Sequence, residues 1–210
     1  MQRLLRTKWP ALLLGVVSLT GAALFLNAEL NQRNRAAASP RPQEDVQQPI
    51  VKFDNSGNLV RPTGYRKWIY VGAPLTPHDM NDGQAAFPEF HSVYIDPAAY
   101  DHYQQTGKFR DGTVIIKELV RVGSKKATSG HGYFMGEFTG LEVLMKDRQR
   151  FQDQPGHWGF FSFGHEYPLK PTAIIQPVAN CNACHSTSAD DDFVFTQYYP
   201  VLRAAKPRVQ

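Results

Sequence analysis

Cys181-Asn182-Ala183-Cys184-His185 is the segment with the most specific chemistry in this chain. Two thiols three positions apart, followed at once by a histidine, have the attachment spacing of a c-type haem. Each thiol can bond one vinyl-derived carbon of a porphyrin, and the imidazole then ligates the iron from the proximal side. The chain has only these two cysteines, so the motif uses both and predicts one haem c per chain, with His185 as the metal ligand. The competing readings are a disulfide and half of a zinc site. Zinc would need two further ligands at workable spacing, and the sequence has no second cysteine pair or paired-histidine segment. A redox C-x-x-C would be expected near a βαβ pattern, usually in the cytosol.

Two further residues have side chains whose chemistry depends on burial. Lys117 lies in Thr113-Val114-Ile115-Ile116-Lys117-Glu118-Leu119-Val120. In a strand, Ile115, Lys117 and Leu119 share one face, and Val114, Ile116, Glu118 and Val120 share the other. Both faces are largely apolar, which predicts an interior strand. An ammonium held there loses its hydration, which favours the neutral, nucleophilic amine. The plainer reading is a lysine that snorkels its charge to a sheet edge. Glu142, in Gly140-Leu141-Glu142-Val143-Leu144-Met145, poses the same question. Buried among aliphatic neighbours it would be a proton acceptor with an elevated pKa, and facing outward it would be an ordinary strand residue.

The elements that must position these residues read as strands broken by turns. Tyr65 to Val71 is a helix-to-strand candidate, and Phe90 to Ile95 is β-branched and aromatic. Pro97 to Thr106 is predicted helical, with Asp96 as N-cap and Pro97 in the first turn. Gly112–Val122 is the clearest strand, Gly132–Met145 and Trp158–Phe163 are further candidates, and Phe193 to Ala205 looks helical. This pattern predicts an α+β domain, mainly antiparallel sheet with peripheral helices. The haem would dock against the sheet near the C-terminus, with sheet residues lining its distal side.

Arg3, Arg6 and Lys8 precede an uncharged stretch from Trp9 to Leu26, which has the form of an export signal. Its 18 residues are long for a cleaved signal and just enough to span a bilayer. Residues 1–30 are therefore a signal peptide or a retained inner-membrane anchor, and the rest is expected in a periplasm. Residues 31–49, rich in Ala, Pro, Gln, Arg and Ser, form a tether, and residues 50–206 form one haem domain. The net charge of +4 is concentrated in the leader. Residues 1–41 hold six Lys/Arg against one Glu, and the remainder 17 basic against 18 acidic residues. With no basic patch interleaved with aromatics, nucleic acid is not an expected partner.

Over residues 50–206 the chain resembles the cytochrome P-460 family. The resemblance is carried by Arg110-Asp111-Gly112-Thr113-Val114-Ile115-Ile116-Lys117-Glu118-Leu119-Val120, by Gly132-Tyr133-Phe134-Met135-Gly136 followed by Gly140-Leu141-Glu142, and by the haem motif. Tyr65-Arg66-Lys67-Trp68, Asn81-Asp82-Gly83, Val93-Tyr94-Ile95-Asp96-Pro97 and Phe195 to Ala205 add to it. The resemblance implies a periplasmic, predominantly β, usually homodimeric protein. Its reaction would be the oxidation of hydroxylamine, with nitric oxide and nitrosyl species handled on the way to nitrous oxide and electrons passed to a soluble c-type cytochrome. It further implies a covalent bond from Lys117 to a porphyrin meso carbon and a proton-accepting role for Glu142. One departure stands out: relatives often carry arginine where this chain has His91. Histidine titrates near neutrality, so a His91 lining the distal pocket would make its hydrogen bonding pH-dependent, whereas a partly exposed strand histidine would not bear on the site. The alternatives from the same evidence are a nitric-oxide-binding cytochrome c′-beta, without the lysine link and with a phenylalanine-capped distal side, and a simple electron carrier. The carrier would take a sixth ligand from Met80, Met135, Met145 or a distal histidine.

Overall fold

The structure is a computed structural model that describes residues 50–208. The expected leader, 1–30, and tether, 31–49, lie outside the described residues. In chain order the strands are β1 (Leu59–Val60), β2 (Ile69–Gly72), β3 (Phe90–Ile95), β4 (Val114–Val122), β5 (Lys126–Ala127), β6 (Gly130–His131), β7 (Met135–Lys146), β8 (Trp158–Ser162) and β9 (Thr172–Ala173). Helices α1 (Pro97–Thr106), α2 (Cys181–Ser188) and α3 (Pro200–Ala205) flank them. The main sheet has the order β2-β3-β4-β7-β8, antiparallel throughout, with β4 at its centre. This is the expected α+β class with a dominant antiparallel sheet.

The central position of β4 explains its two apolar faces, because both sides of the middle strand are covered. One face carries the row Ile95, Ile115, Leu144 and Phe160, in register across four strands. All three helices pack here through residues that include Ala99, Tyr103, Cys181 and Leu202. The other face carries Ile116, Val143 and Phe161, covered by Val51, Leu59 and Ala173 from the N-terminal segment, β1 and β9. These two-residue strands pair with each other, and Leu59 also bridges Phe53. They act as a lid over an existing apolar face.

The α1 expectation holds to the residue. Asp96 is fully buried, and one carboxylate oxygen accepts the Ala99 N–H while the other accepts the Val114 N–H, each at 2.8 Å. A single side chain thus caps α1 and fixes the start of β4. Two boundaries differ from expectation. Gly130–His131 turns back on Lys126–Ala127 as a separate hairpin, so the long strand begins only at Met135. The expected helix over 193–205 is instead a 3-10 turn, Thr196–Tyr198, followed by α3. Pro200 lacks an N–H and disfavours helical geometry at Tyr199, so helix cannot run through this point. Among the described residues no helix is long and apolar enough to cross a membrane.

Candidate functional site

Alternation along the strands builds the site as a second row on the helix-covered face. Val93, Lys117, Glu142 and Ser162 stand in register on β3, β4, β7 and β8. Lys117 and Glu142 are direct cross-strand partners, and Lys117 Nζ lies 2.5 Å from Glu142 Oε2. Both are mostly buried, at 18% and 15% side-chain exposure. The lysine is therefore not a lone amine among aliphatic neighbours, as the strand pattern suggested, but half of an ion pair capped by Phe87, whose ring centroid is 4.5 Å from Nζ.

Glu142 also departs from expectation. Burial pushes its pKa up, as predicted, but hydrogen bonds and charge from His165 and Lys117 outweigh this and bring it down to about 2. Its other oxygen, Oε1, lies 3.0 Å from Nε2 of His165. His165 sits in the loop after β8, and Glu142 raises its pKa above the ordinary histidine value. The approach of that loop depends on Gly140. A Cβ there would lie 2.8 Å from the Gly164 carbonyl oxygen and 3.1 Å from His165 Cα.

His91 occupies the next row, opposite Leu119. Its ring meets Phe87 edge-on at 6.0 Å, and Phe87 in turn lies 5.8 Å from the His165 ring. Burial first, and the Lys117 charge second, lower the His91 pKa to about 4. The side chain is therefore neutral at physiological pH, which removes the expected titration near neutrality. Its Nε2 is buried without a hydrogen-bond partner, an orphan polar atom that a bound ligand would satisfy.

The haem motif forms α2 against this face. Cys181 and Cys184 are free thiols, so the disulfide alternative is not what the fold adopts. The zinc alternative finds no support either: among the described residues no three His, Cys, Asp or Glu side chains converge as a metal site. His185 Nδ1 donates to the Phe193 carbonyl oxygen at 2.6 Å. That bond fixes the tautomer, leaving Nε2 as the lone-pair nitrogen available to a metal. Phe160 and Phe195 flank the imidazole edge-on, each centroid at 4.6 Å, and burial lowers its pKa, which favours the neutral ligand form. Lys117 and Glu142 act electrostatically on both His185 and Cys181, so motif and ion pair share one region of the fold.

A family model for cytochrome P460 matches residues 62–196. The chain belongs to the cytochrome P460 family. A comparison with curated proteins finds no match. Membership of the cytochrome P460 family makes this a haem protein of oxidoreductase type, and the residues fit the group. A tautomer-locked imidazole, two free thiols at the attachment spacing and an orphaned buried nitrogen lie around one sheet face. The methionines offered as sixth ligands fit poorly. Met80 and Met135 are exposed, and Met145 packs with the cluster on the opposite face.

A sequence reading finds Lys117, Glu142, His91 and the haem motif but misses His165 and Phe87. Both lie in loops, where no periodicity marks a side chain as inward-facing. A cleft of about 680 Å³ opens beyond His165, lined also by Glu89, Arg121, Lys125 and Tyr133. His165 is the one residue of the site that lines it; Cys181, Cys184, His185, Lys117 and Glu142 do not.

Proposed function

We propose that this cytochrome P460 protein is an exported, mono-haem c-type enzyme that oxidises hydroxylamine to nitrous oxide, with Lys117 bonded to the porphyrin rim. The observation that carries this reading is the in-register Lys117–Glu142 pair at 2.5 Å on the face that receives the Cys181–His185 helix. Cys181 and Cys184 would hold the porphyrin, and His185 Nε2 would ligate the iron. Haem supplies an electron acceptor that a small N–O compound can bind through nitrogen. The protein residues do the rest. Lys117 fixes the macrocycle, Glu142 takes up protons released from substrate, and neutral His91 offers Nε2 as a hydrogen-bond partner. Phe87 keeps bulk water from the pair. Electrons would leave to a separate soluble c-type cytochrome, the basic residues before the uncharged Trp9–Leu26 stretch support export to a periplasm, and the family resemblance supports a homodimer.

The reduced optical spectrum of protein matured with c-type haem tests the link. We expect a red-shifted Soret band that Lys117→Leu returns to an ordinary c-type position, with loss of hydroxylamine oxidation. An ordinary c-type spectrum in the wild type, or full turnover by Lys117→Leu, contradicts the reading. Phe87 favours a second reading, a nitric-oxide-binding cytochrome c′-beta, because a phenylalanine covers the lysine end of the pocket. The same spectrum separates the two, since that reading has no lysine link.

A further inference from the structure

We infer that Glu142 and His165 form one proton relay, in which His165 delivers to solvent the protons that Glu142 collects. This rests on the hydroxylamine reading above. The two oxygens of Glu142 face different ways: Oε2 meets Lys117 Nζ at 2.5 Å, and Oε1 meets His165 Nε2 at 3.0 Å. The carboxylate side chain is 15% exposed and the imidazole 46%. His165 also lines the open cleft beside Arg121, Lys125 and Tyr133. Buried carboxylate, half-exposed imidazole and open cleft therefore lie in sequence.

The chemistry requires such an exit. Converting two hydroxylamines to one nitrous oxide and one water releases four protons and four electrons. The electrons pass to an acceptor of the c-type cytochrome class, and the protons need their own route. Glu142 alone is a poor reservoir, because the His165 hydrogen bond holds its carboxyl down against the upward push of burial, and the free Lys117 amine, before it bonds the porphyrin, adds to that and brings it to about 2. A proton reaching its carboxylate moves on readily to a neutral imidazole. In its Nδ1–H tautomer His165 takes that proton at Nε2 and gives the Nδ1 proton to solvent in the cleft, and proton exchange with solvent restores the Nδ1–H tautomer before the next transfer. Glu142 and Glu89 raise the proton affinity of His165 while burial and Lys117 oppose them, and Arg121, Lys125, Asp79 and Glu166 line the same cleft. The net effect raises its pKa above the ordinary histidine value. The relay accepts protons only while His165 is neutral, so turnover falls as pH drops through that raised pKa.

The test uses the haem-loaded protein. Hydroxylamine oxidation is followed across pH for wild type, His165→Gln, His165→Asn and Glu142→Ala, and the nitrogen-15 ring shifts of His165 are titrated in wild type and Glu142→Gln. We expect the His165 ring to titrate above its ordinary range in the wild type and to drop in Glu142→Gln. The acid limb of kcat should fall at the same pH. Both His165 variants should lose roughly tenfold or more in kcat, with KM unchanged and the acid limb gone. Full kcat with an intact acid limb in His165→Gln overturns the relay, as does a ring titration indifferent to Glu142→Gln. The titration decides by itself if the His165 variants fail to fold. Full turnover by Glu142→Ala removes the hydroxylamine mechanism itself, whereas loss there beside a fully active His165→Gln removes only the relay.

Discussion

Replacing Glu142 with Gln keeps the shape of the side chain and removes its charge, which isolates the electrostatics of the site. The native carboxyl falls from 4.5 to about 2. Each unit is worth about 1.4 kcal/mol, so the ionised form stabilises the fold by about 3 kcal/mol where it is fully charged and fully paired. At 15% exposure little of this is lost to solvent screening. A depressed carboxylate contributes stability above its unfolded pKa and loses it as pH falls through the folded one. The deficit of Glu142→Gln should therefore fade between about pH 4.5 and about pH 2. His165 sets the other limit. Its raised pKa means that its half of the pairing is complete only below 6.5 and is lost as pH rises through the folded value. The deficit should peak between these limits.

The assay is urea unfolding of haem-free wild type and variant, in which the Lys117 amine is unbonded, at pH 3, 5.5 and 9. The variant should be about 3 kcal/mol less stable at pH 5.5, with the gap narrowing toward both ends. The wild type and variant m-values must agree for the comparison to hold. A deficit that is the same at all three values, or below about 1 kcal/mol at pH 5.5, would mean that Glu142 is not charged and doubly paired in the folded protein.

On the opposite face, buried Glu118 accepts from Tyr65 Oη at 2.6 Å and from Arg66 Nη2 at 2.5 Å. Tyr65→Phe should cost about 1–3 kcal/mol by chemical denaturation and leave the haem spectrum unchanged, because the lost bond lies across the sheet from the site. An altered spectrum would mean that the two faces are coupled. Gly140→Ala places a Cβ 2.8 Å from both Leu119 Cδ1 and the Gly164 carbonyl oxygen, so the loop bearing His165 must move. We expect a loss of about 1–3 kcal/mol together with a lowered His165 titration, measured by nuclear magnetic resonance. An unchanged titration would show that the loop reaches Glu142 without needing the glycine.

Local signals reached as far as local physics decides. Asp96-Pro97 announces the start of α1, and the apolar alternation of β4 identifies a strand covered on both sides. The terminal segment was legible only in part, although Pro200 marks the break that separates the Thr196–Tyr198 turn from α3. The charge state of the site was not legible. The composition around Glu142 is aliphatic, so a local reading gives an elevated pKa. The residues that reverse it, Lys117 and His165, are 25 and 23 positions away in the chain and arrive only by strand pairing and loop return. His91 shows the same limit from the other side. Its intrinsic titration suggests a switch near neutrality, and burial beside Lys117 removes it.

Strand register is what converts these separate residues into a site. Lys117 faces Glu142 because β4 and β7 pair without a shift from Val114–Met145 through Leu119–Gly140, and the irregularities begin only beyond Leu119. A one-residue slip within that regular stretch would turn the Glu142 side chain to the opposite face, away from α2, and bring Leu141 or Val143 across from Lys117. The irregular pairing farther along, where β7 residues Met135 to Phe138 are exposed, lies outside the rows that carry the charged pair. The β4–β7 pairing is regular where the two charges must meet, and it becomes irregular past Gly140, beside the close-packed return of the chain that brings in His165.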